Sequence, residues 1–338
     1  MDGWTPVMQA ASEGHKDVFD VLVKAGTYLS QVSNNKQTIL HLACRGGNTE
    51  IIKYLLKHTT VDIDSRDASG WTPVMQAAIR GHKDAFDVLV ESGADLSQVS
   101  NNKETILHMA CGVGNVDIIM YLLKHDIVEI NSQGFNGLTP VMRAAKYGHK
   151  DVFDVLVKAG ADLSRLSDRK ETTLHVACTG GNVGIIKYLL KHDIVDIDSR
   201  DVDGWTPVMH TVTGGRKDVF DLLVKWSADL SLLDYDNDNI LHLACEGDVE
   251  IVKYLLTLNM FDINSRDGDD CTSVMIAARW GHEAIFFLLV ENEADLTIMN
   301  GIGDNILDMA CEGENVHIVK YASTRHIVEG PYREDDPC

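Results

Sequence analysis

Residues 3–26 read GWTPVMQAASEGHKDVFDVLVKAG, and residues 38–58 read TILHLACRGGNTEIIKYLLKH. Each stretch predicts two short helices. In the first, Thr5 is placed to cap a helix whose first residue is Pro6, a position where proline's missing N–H costs nothing. Gly14 closes that helix because it tolerates positive φ. Val18, Phe19, Val21, Leu22 and Val23 then form the apolar stretch of a second helix, matched in the other segment by Ile51, Ile52, Tyr54, Leu55 and Leu56. Asn48, with Asn115, Asn182 and Asn315 further on, is placed to cap the second helix.

Both segments recur. The residues that open the first helix are Thr5, Thr38, Thr72, Thr105, Thr139, Thr172, Thr206, Asn239, Thr272 and Asn305, at intervals of 33 or 34 residues. Ten repeats fill the chain and alternate between the two types. Similarity between repeats two apart points to tandem duplication of a pair. No single helix is long enough to be stable alone, so each pair must bury its apolar face on the next. The expected fold is an all-α repeat solenoid, each repeat carrying a helix, a tight turn, a second helix and a β-hairpin finger. Length alone suggests about two domains; the period replaces that with one array, 1–326, followed by an acidic, disordered tail, 327–338.

The chain resembles the ankyrin-repeat family over all but that tail. The resemblance is carried by the Thr-Pro start, Ala10-Ala11, Gly14-His15, the stretch Val155–Leu163 and the 33-residue period. It implies an elongated stack with a concave groove of fingers and first helices, used to bind other proteins. It also points to the finger asparagines Asn131 and Asn264 as sites of asparaginyl hydroxylation. One departure stands out. Odd repeats carry Met8, Met75, Met142, Met209 and Met275 where the family has His, and even repeats keep His41, His108, His175 and His242 but lack the Pro. The helix-to-finger histidine bond is expected in alternate repeats only.

The formal charge is −21, with −3 in residues 1–169 and −18 in residues 170–338. An acid excess disfavours nucleic acid and anionic membrane surfaces as partners. No apolar run is long enough to span a bilayer. Cys44, Cys111, Cys178, Cys245 and Cys311 share one first-helix slot. Neighbours in this series should lie about 20 Å apart, too far to pair with one another. They read as buried free thiols and place the protein in the cytoplasm or nucleus, a reducing compartment. Repeating residues are spread along the array, whereas catalysis and metal binding need different residues to converge. No phosphate-loop, nucleophile-elbow or zinc-ligand spacing occurs, so neither a cofactor nor an enzyme activity is expected. Asp234, Asp236 and Asp238 resemble the opening of a calcium loop, but Asn239 stands where that loop turns on Gly and Cys245 where it ends on Glu. They read as a solvated finger tip.

The expected function is partner binding in the groove, or else a structural role as a spacer or self-assembling segment. Trp4, Trp71, Leu138 and Trp205 sit at finger–helix junctions, while Arg80, Lys146, Tyr147, Arg279 and Trp280 end first helices. Aromatic and Arg side chains of this kind dominate interface energetics. The later repeats diverge most and carry the acid, with Asp234, Tyr235, Asp236, Asp238, Asp269 and Asp270 on fingers, which favours a basic segment of a partner protein. Repeat ten, with Asp308 and Ala322-Ser323, reads as a C-terminal cap. Repeat one starts inside a finger and is built like an internal repeat, so homotypic stacking through the N-terminal end, or an origin within a longer array, is expected.

Overall fold

All ten residues expected to open first helices are N-caps in the structure, a computed structural model that describes residues 3–324. The tail expected at 327–338 lies outside those residues. The chain divides into two compact units, Met1–Arg169 and Lys170–Cys338. The first holds five helix pairs: α1 (Pro6–Ser12) with α2 (Lys16–Lys24), α3 (Ile39–Gly46) with α4 (Thr49–His58), α5 (Pro73–Ile79) with α6 (Lys83–Glu91), α7 (Ile106–Val113) with α8 (Val116–Lys124), and α9 (Pro140–Lys146) with α10 (Lys150–Lys158). The second holds α11 (Thr173–Gly180) with α12 (Val183–Lys191), α13 (Pro207–Thr213) with α14 (Lys217–Lys225), α15 (Ile240–Ala244) with α16 (Val249–Thr257), α17 (Ser273–Arg279) with α18 (Glu283–Glu291), and α19 (Ile306–Glu312) with α20 (Val316–Ser323).

Within each unit the first helices pack in succession and each second helix packs on its own partner. Phe19, Phe86, Phe153, Phe220 and Phe286 hold one position in the second helix of every odd repeat and are fully buried. Tyr54, Tyr121 and Tyr254 of the following repeats meet Phe19, Phe86 and Phe220 edge-on at 5.6–5.7 Å. Such pairs add about 0.5–1.5 kcal/mol to the area they bury. Gly14 has φ +71° just past α1, as the sequence predicts.

The alternation of Met and His has the expected consequence. His41 accepts the Thr38 N–H at Nδ1 (3.1 Å) and donates from Nε2 to the Trp71 carbonyl of the next repeat (2.9 Å). His108, His175 and His242 reach the following finger in the same way. Burial holds these imidazoles neutral and lowers their pKa values, to about 4 for His108 and His175. In odd repeats a thioether stands in: Thr72 and Thr206 donate their N–H groups to the sulfurs of Met75 and Met209 at 3.5 and 3.4 Å. The hydroxyls of Thr72, Thr206 and Thr272 stay buried without a partner, a cost the even repeats avoid.

The fingers depart from expectation. Among the described residues no β-strand forms; the fingers keep one backbone bond across the tip, such as Asp67 N–H to Trp71 O, and the isolated bridges Val32↔Thr38 and Arg266↔Thr272. Side-chain turns do the work of strands. Asp67 Oδ1 accepts the N–H groups of Ser69 and Trp71, and Asp201, Asp234 and Asp267 repeat the arrangement. Successive fingers are joined by single backbone bonds such as Asn101 N–H to Ser69 O and Gly301 N–H to Asp269 O.

The thiols differ from expectation at one place. Cys44, Cys111, Cys178, Cys245 and Cys271 are buried and free. Cys311, half-buried in α19, is disulfide-bonded and so leaves the series of buried free thiols.

Candidate partner-binding surface

The aromatic residues at the finger–helix junctions are built into the packing. The Trp205 indole donates to Asp234 Oδ2 at 2.9 Å, and its ring lies 5.3 Å from that of His210. Trp71 is half-buried, with its backbone N–H on Asp67 and its carbonyl on His41. Trp4 is half-buried under the Arg45 guanidinium, and Leu138 is buried. The residues that end first helices face solvent instead. Arg80, Tyr147 and Trp280 are the C-caps of α5, α9 and α17, all exposed beside exposed Lys146 and Arg279.

The acidic fingers separate into buried and displayed carboxylates. Asp234 is buried, its two oxygens committed to the Asp236 and Asp238 N–H groups and the Trp205 indole. Asp236, Asp269 and Asp270 are exposed, and Asp270 lies 3.6 Å from Arg266. Tyr235 is exposed, with the Arg200 guanidinium 5.9 Å over its ring. Among the described residues no group of His, Cys, Asp and Glu is arranged to hold a metal ion. Asn131 and Asn264 use Oδ1 to accept the N–H groups of Asp162 and Asp295 in the next finger, both at 2.8 Å.

The structure assembles a cavity of about 390 Å³ that the sequence did not disclose. Asp238, Glu246 and Asp267 line it, with Cys271, Ile276 and Met309 among its apolar walls and Trp280 beside them. Helix α15 has five residues where α3, α7 and α11 have eight, and its C-cap is Cys245, directly before Glu246. Burial first, then the charges of Asp234, Asp267, Glu246 and Asp236, push the Asp238 carboxyl up to about 7. Burial also raises Glu246 above the ordinary carboxylate range. The one visible signal in the sequence is that Asp248 follows Cys245 after two residues where Asn48 follows Cys44 after three; nothing local to Asp238 marks it as lining a cavity with Ile276.

Four matches to the family described as ankyrin repeats (3 copies) run over residues 7–100, 95–167, 164–234 and 228–300. The chain belongs to the ankyrin-repeat family. It is 30% identical over 266 residues to the ankyrin repeat and KH domain-containing protein mask-1 of Caenorhabditis elegans, covering 69% of this chain and 10% of that protein. It is 28% identical over 278 residues to the ankyrin repeat protein nuc-2 of Neurospora crassa, covering 81% and 25%. Rabankyrin-5 of Homo sapiens is 25% identical over 314 residues, covering 91% and 27%. The chain therefore spans a quarter or less of the first two relatives and little more of the third. Ankyrin repeats are in general protein-interaction modules, whose stacked units present extended binding surfaces. No helix of the described residues is long and apolar enough to cross a membrane.

Proposed function

We propose that this chain is a non-catalytic protein-interaction module or scaffold that binds the basic segment of a partner protein on the fingers and first helices of its C-terminal unit. The observation that carries the reading is the exposed finger carboxylates Asp236, Asp269 and Asp270, with exposed Trp280, in the half of the chain that holds −18 of the −21 charge. Complementary charge gives such a surface specificity and a fast on-rate. The test uses the full chain and an immobilised peptide in which Lys and Arg alternate with Gly. Capture at low salt and release at high salt is expected. Asp236→Asn, Asp269→Asn and Asp270→Asn together should abolish capture, while Asp84→Asn, Asp117→Asn and Asp151→Asn, an equal charge change on the other unit, should not. Equal loss in both sets would reduce the effect to net charge and sink the reading.

A second reading, self-assembly or a spacer role through the first repeat, is supported by one observation. Val18 and Val21 on α2 are 51% and 66% exposed, whereas Ala85, Val152 and Val219 at the Val18 position are 1% exposed or less and Val88 and Leu222 at the Val21 position are 9% exposed. Helix α4 of the preceding repeat packs on α6, and among the described residues no helix packs on the corresponding side of α2. Residence in the cytoplasm or nucleus rests on the five free thiols, and the disulfide at Cys311 runs against it. Hydroxylation of Asn131 and Asn264 rests on their finger position alone; an unchanged intact mass in protein from a host with the hydroxylase would dismiss it.

A further inference from the structure

In repeats two, four, six and eight, the residue before the first-helix N-cap corresponds to the fourth residue of the next first helix: Gln37 to Gln76, Glu104 to Arg143, Glu171 to His210 and Asp238 to Ile276. Three of these pairs are closed from within. Gln37 and Gln76 both reach Asp67 Oδ2, at 3.4 and 3.5 Å. Glu104 forms an ion pair with Arg143, with side chains only 5% and 17% exposed. His210 lies 3.0 Å from Asp201 Oδ2 at the third pair. At the fourth, the residues in these places are Asp238 and Ile276, and both line the 390 Å³ cavity.

Asp238 thus keeps the carboxylate of Glu104 without the guanidinium of Arg143. No described lysine or arginine reaches it. The His242 ring approaches to 3.7 Å, but the nitrogen that does so accepts the Asn239 N–H and has no proton to give. The charged groups around Asp238 are Asp234 and Asp236 on its own finger, Glu246 after α15 and Asp267 on the next finger. Arg279, the cation in the cavity wall, is committed to Glu312 of that same wall at 3.2 Å and so leaves Asp238 unpaired. Short α15 leaves the space open, and Trp280 offers an aromatic surface at its side.

Building on the basic-segment reading above, we propose that this cavity is the receptor for a single arginine side chain of the partner, whose guanidinium takes at Asp238 the place that Arg143 takes at Glu104. The internal pair shows that the repeat geometry seats a guanidinium against the carboxylate at this position. A planar fork also engages two carboxylates at once and stacks on an indole, which a lysine ammonium does less well. Binding draws the proton from Asp238, so affinity climbs as pH rises through about 7.

The test follows the Trp280 indole N–H of the full chain by ¹H–¹⁵N spectroscopy, assigned by its loss in Trp280→Phe, while N-acetyl-Gly-Arg-Gly-amide is added. A saturable shift is expected, tighter at pH 8 than at pH 6 and at least about tenfold tighter than for the citrulline peptide, which has the same shape without the charge. Ile276→Arg supplies the missing side chain from inside. It should abolish the peptide response and raise the thermal midpoint, and adding Asp238→Asn should remove that gain. An equal response to citrulline, no Trp280 shift with millimolar arginine peptide, or undiminished binding in folded Ile276→Arg overturns the proposal. If Ile276→Arg does not fold, Asp238→Asn alone decides, since retained arginine selectivity in it also overturns the proposal. Such failure alongside intact salt-sensitive capture by the exposed fingers removes the arginine receptor and leaves the broader reading standing.

Discussion

Asp238 and Glu104 show how one position can be solved in two ways. Glu104 is buried and stabilised by Arg143; breaking such a pair from one side typically costs about 3–5 kcal/mol. Asp238 has acids for neighbours and holds its proton up to about 7. Because its folded value lies above the ordinary 3.8, its contribution to stability is fully present below about pH 4 and is lost as pH rises through about 7. Asp238→Asn, which keeps the protonated shape, should therefore gain stability over the parent as pH rises from about 4 to 8. The gain should reach about 1–2 kcal/mol once solvent screening is allowed for; denaturant titrations at both ends of the range measure it, and a pH-independent difference would contradict the assignment. The buried imidazoles His108 and His175 act with the opposite sign, costing stability as pH falls from about 6.5 toward 4. The acids themselves were legible in the sequence. Which side chain each one meets was not, because the partner lies about 38 residues away, across a contact whose filling changes from repeat to repeat.

Helices and their ends were the most legible level, since caps are local chemistry. Asn48 and Asn115 cap α4 and α8 as expected, and they do a second task that local reading misses. Each donates from Nδ2 to the carbonyl of Gly14 or Gly81 one repeat earlier, while Oδ1 accepts the helix N–H. Asp248 caps α16 through Oδ1 and has no donor to send back. Asn115→Asp should therefore lose the link and keep the cap, costing about 1 kcal/mol, whereas Asn115→Ala loses both and should cost about 2 kcal/mol. Equal costs in chemical denaturation would mean that the link between repeats contributes nothing. The finger was the least legible element. Alternating apolar residues were absent there, and the turns rest on Asp67, Asp201, Asp234 and Asp267 binding backbone two and four residues on, so a hairpin was expected where side-chain turns formed.

For the molecule as a whole, the period was readable because every repeat must bury the same face. The division between the two compact units falls between Arg169 and Lys170 in the sequence, the same point that separates net charge −3 from −18. The acid surface is therefore a property of one unit. The first repeat matters in a different way, since its α2 keeps an internal sequence while Val18 and Val21 stay in water. Self-association, if it occurs through that face, should appear as a rise in light-scattering mass with concentration and vanish in Val21→Lys. A mass that stays constant across concentration removes the self-assembly reading.

The buried cysteines of the even repeats have a practical consequence. Cys44, Cys111, Cys178 and Cys245 are wholly inaccessible, and burial pushes each thiol far above its ordinary titration range. An alkylating reagent can reach one only when its own repeat opens. The protein thus carries four natural clocks, one to a duplicated pair, and the order in which they are stamped reads out where unravelling begins without any foreign label.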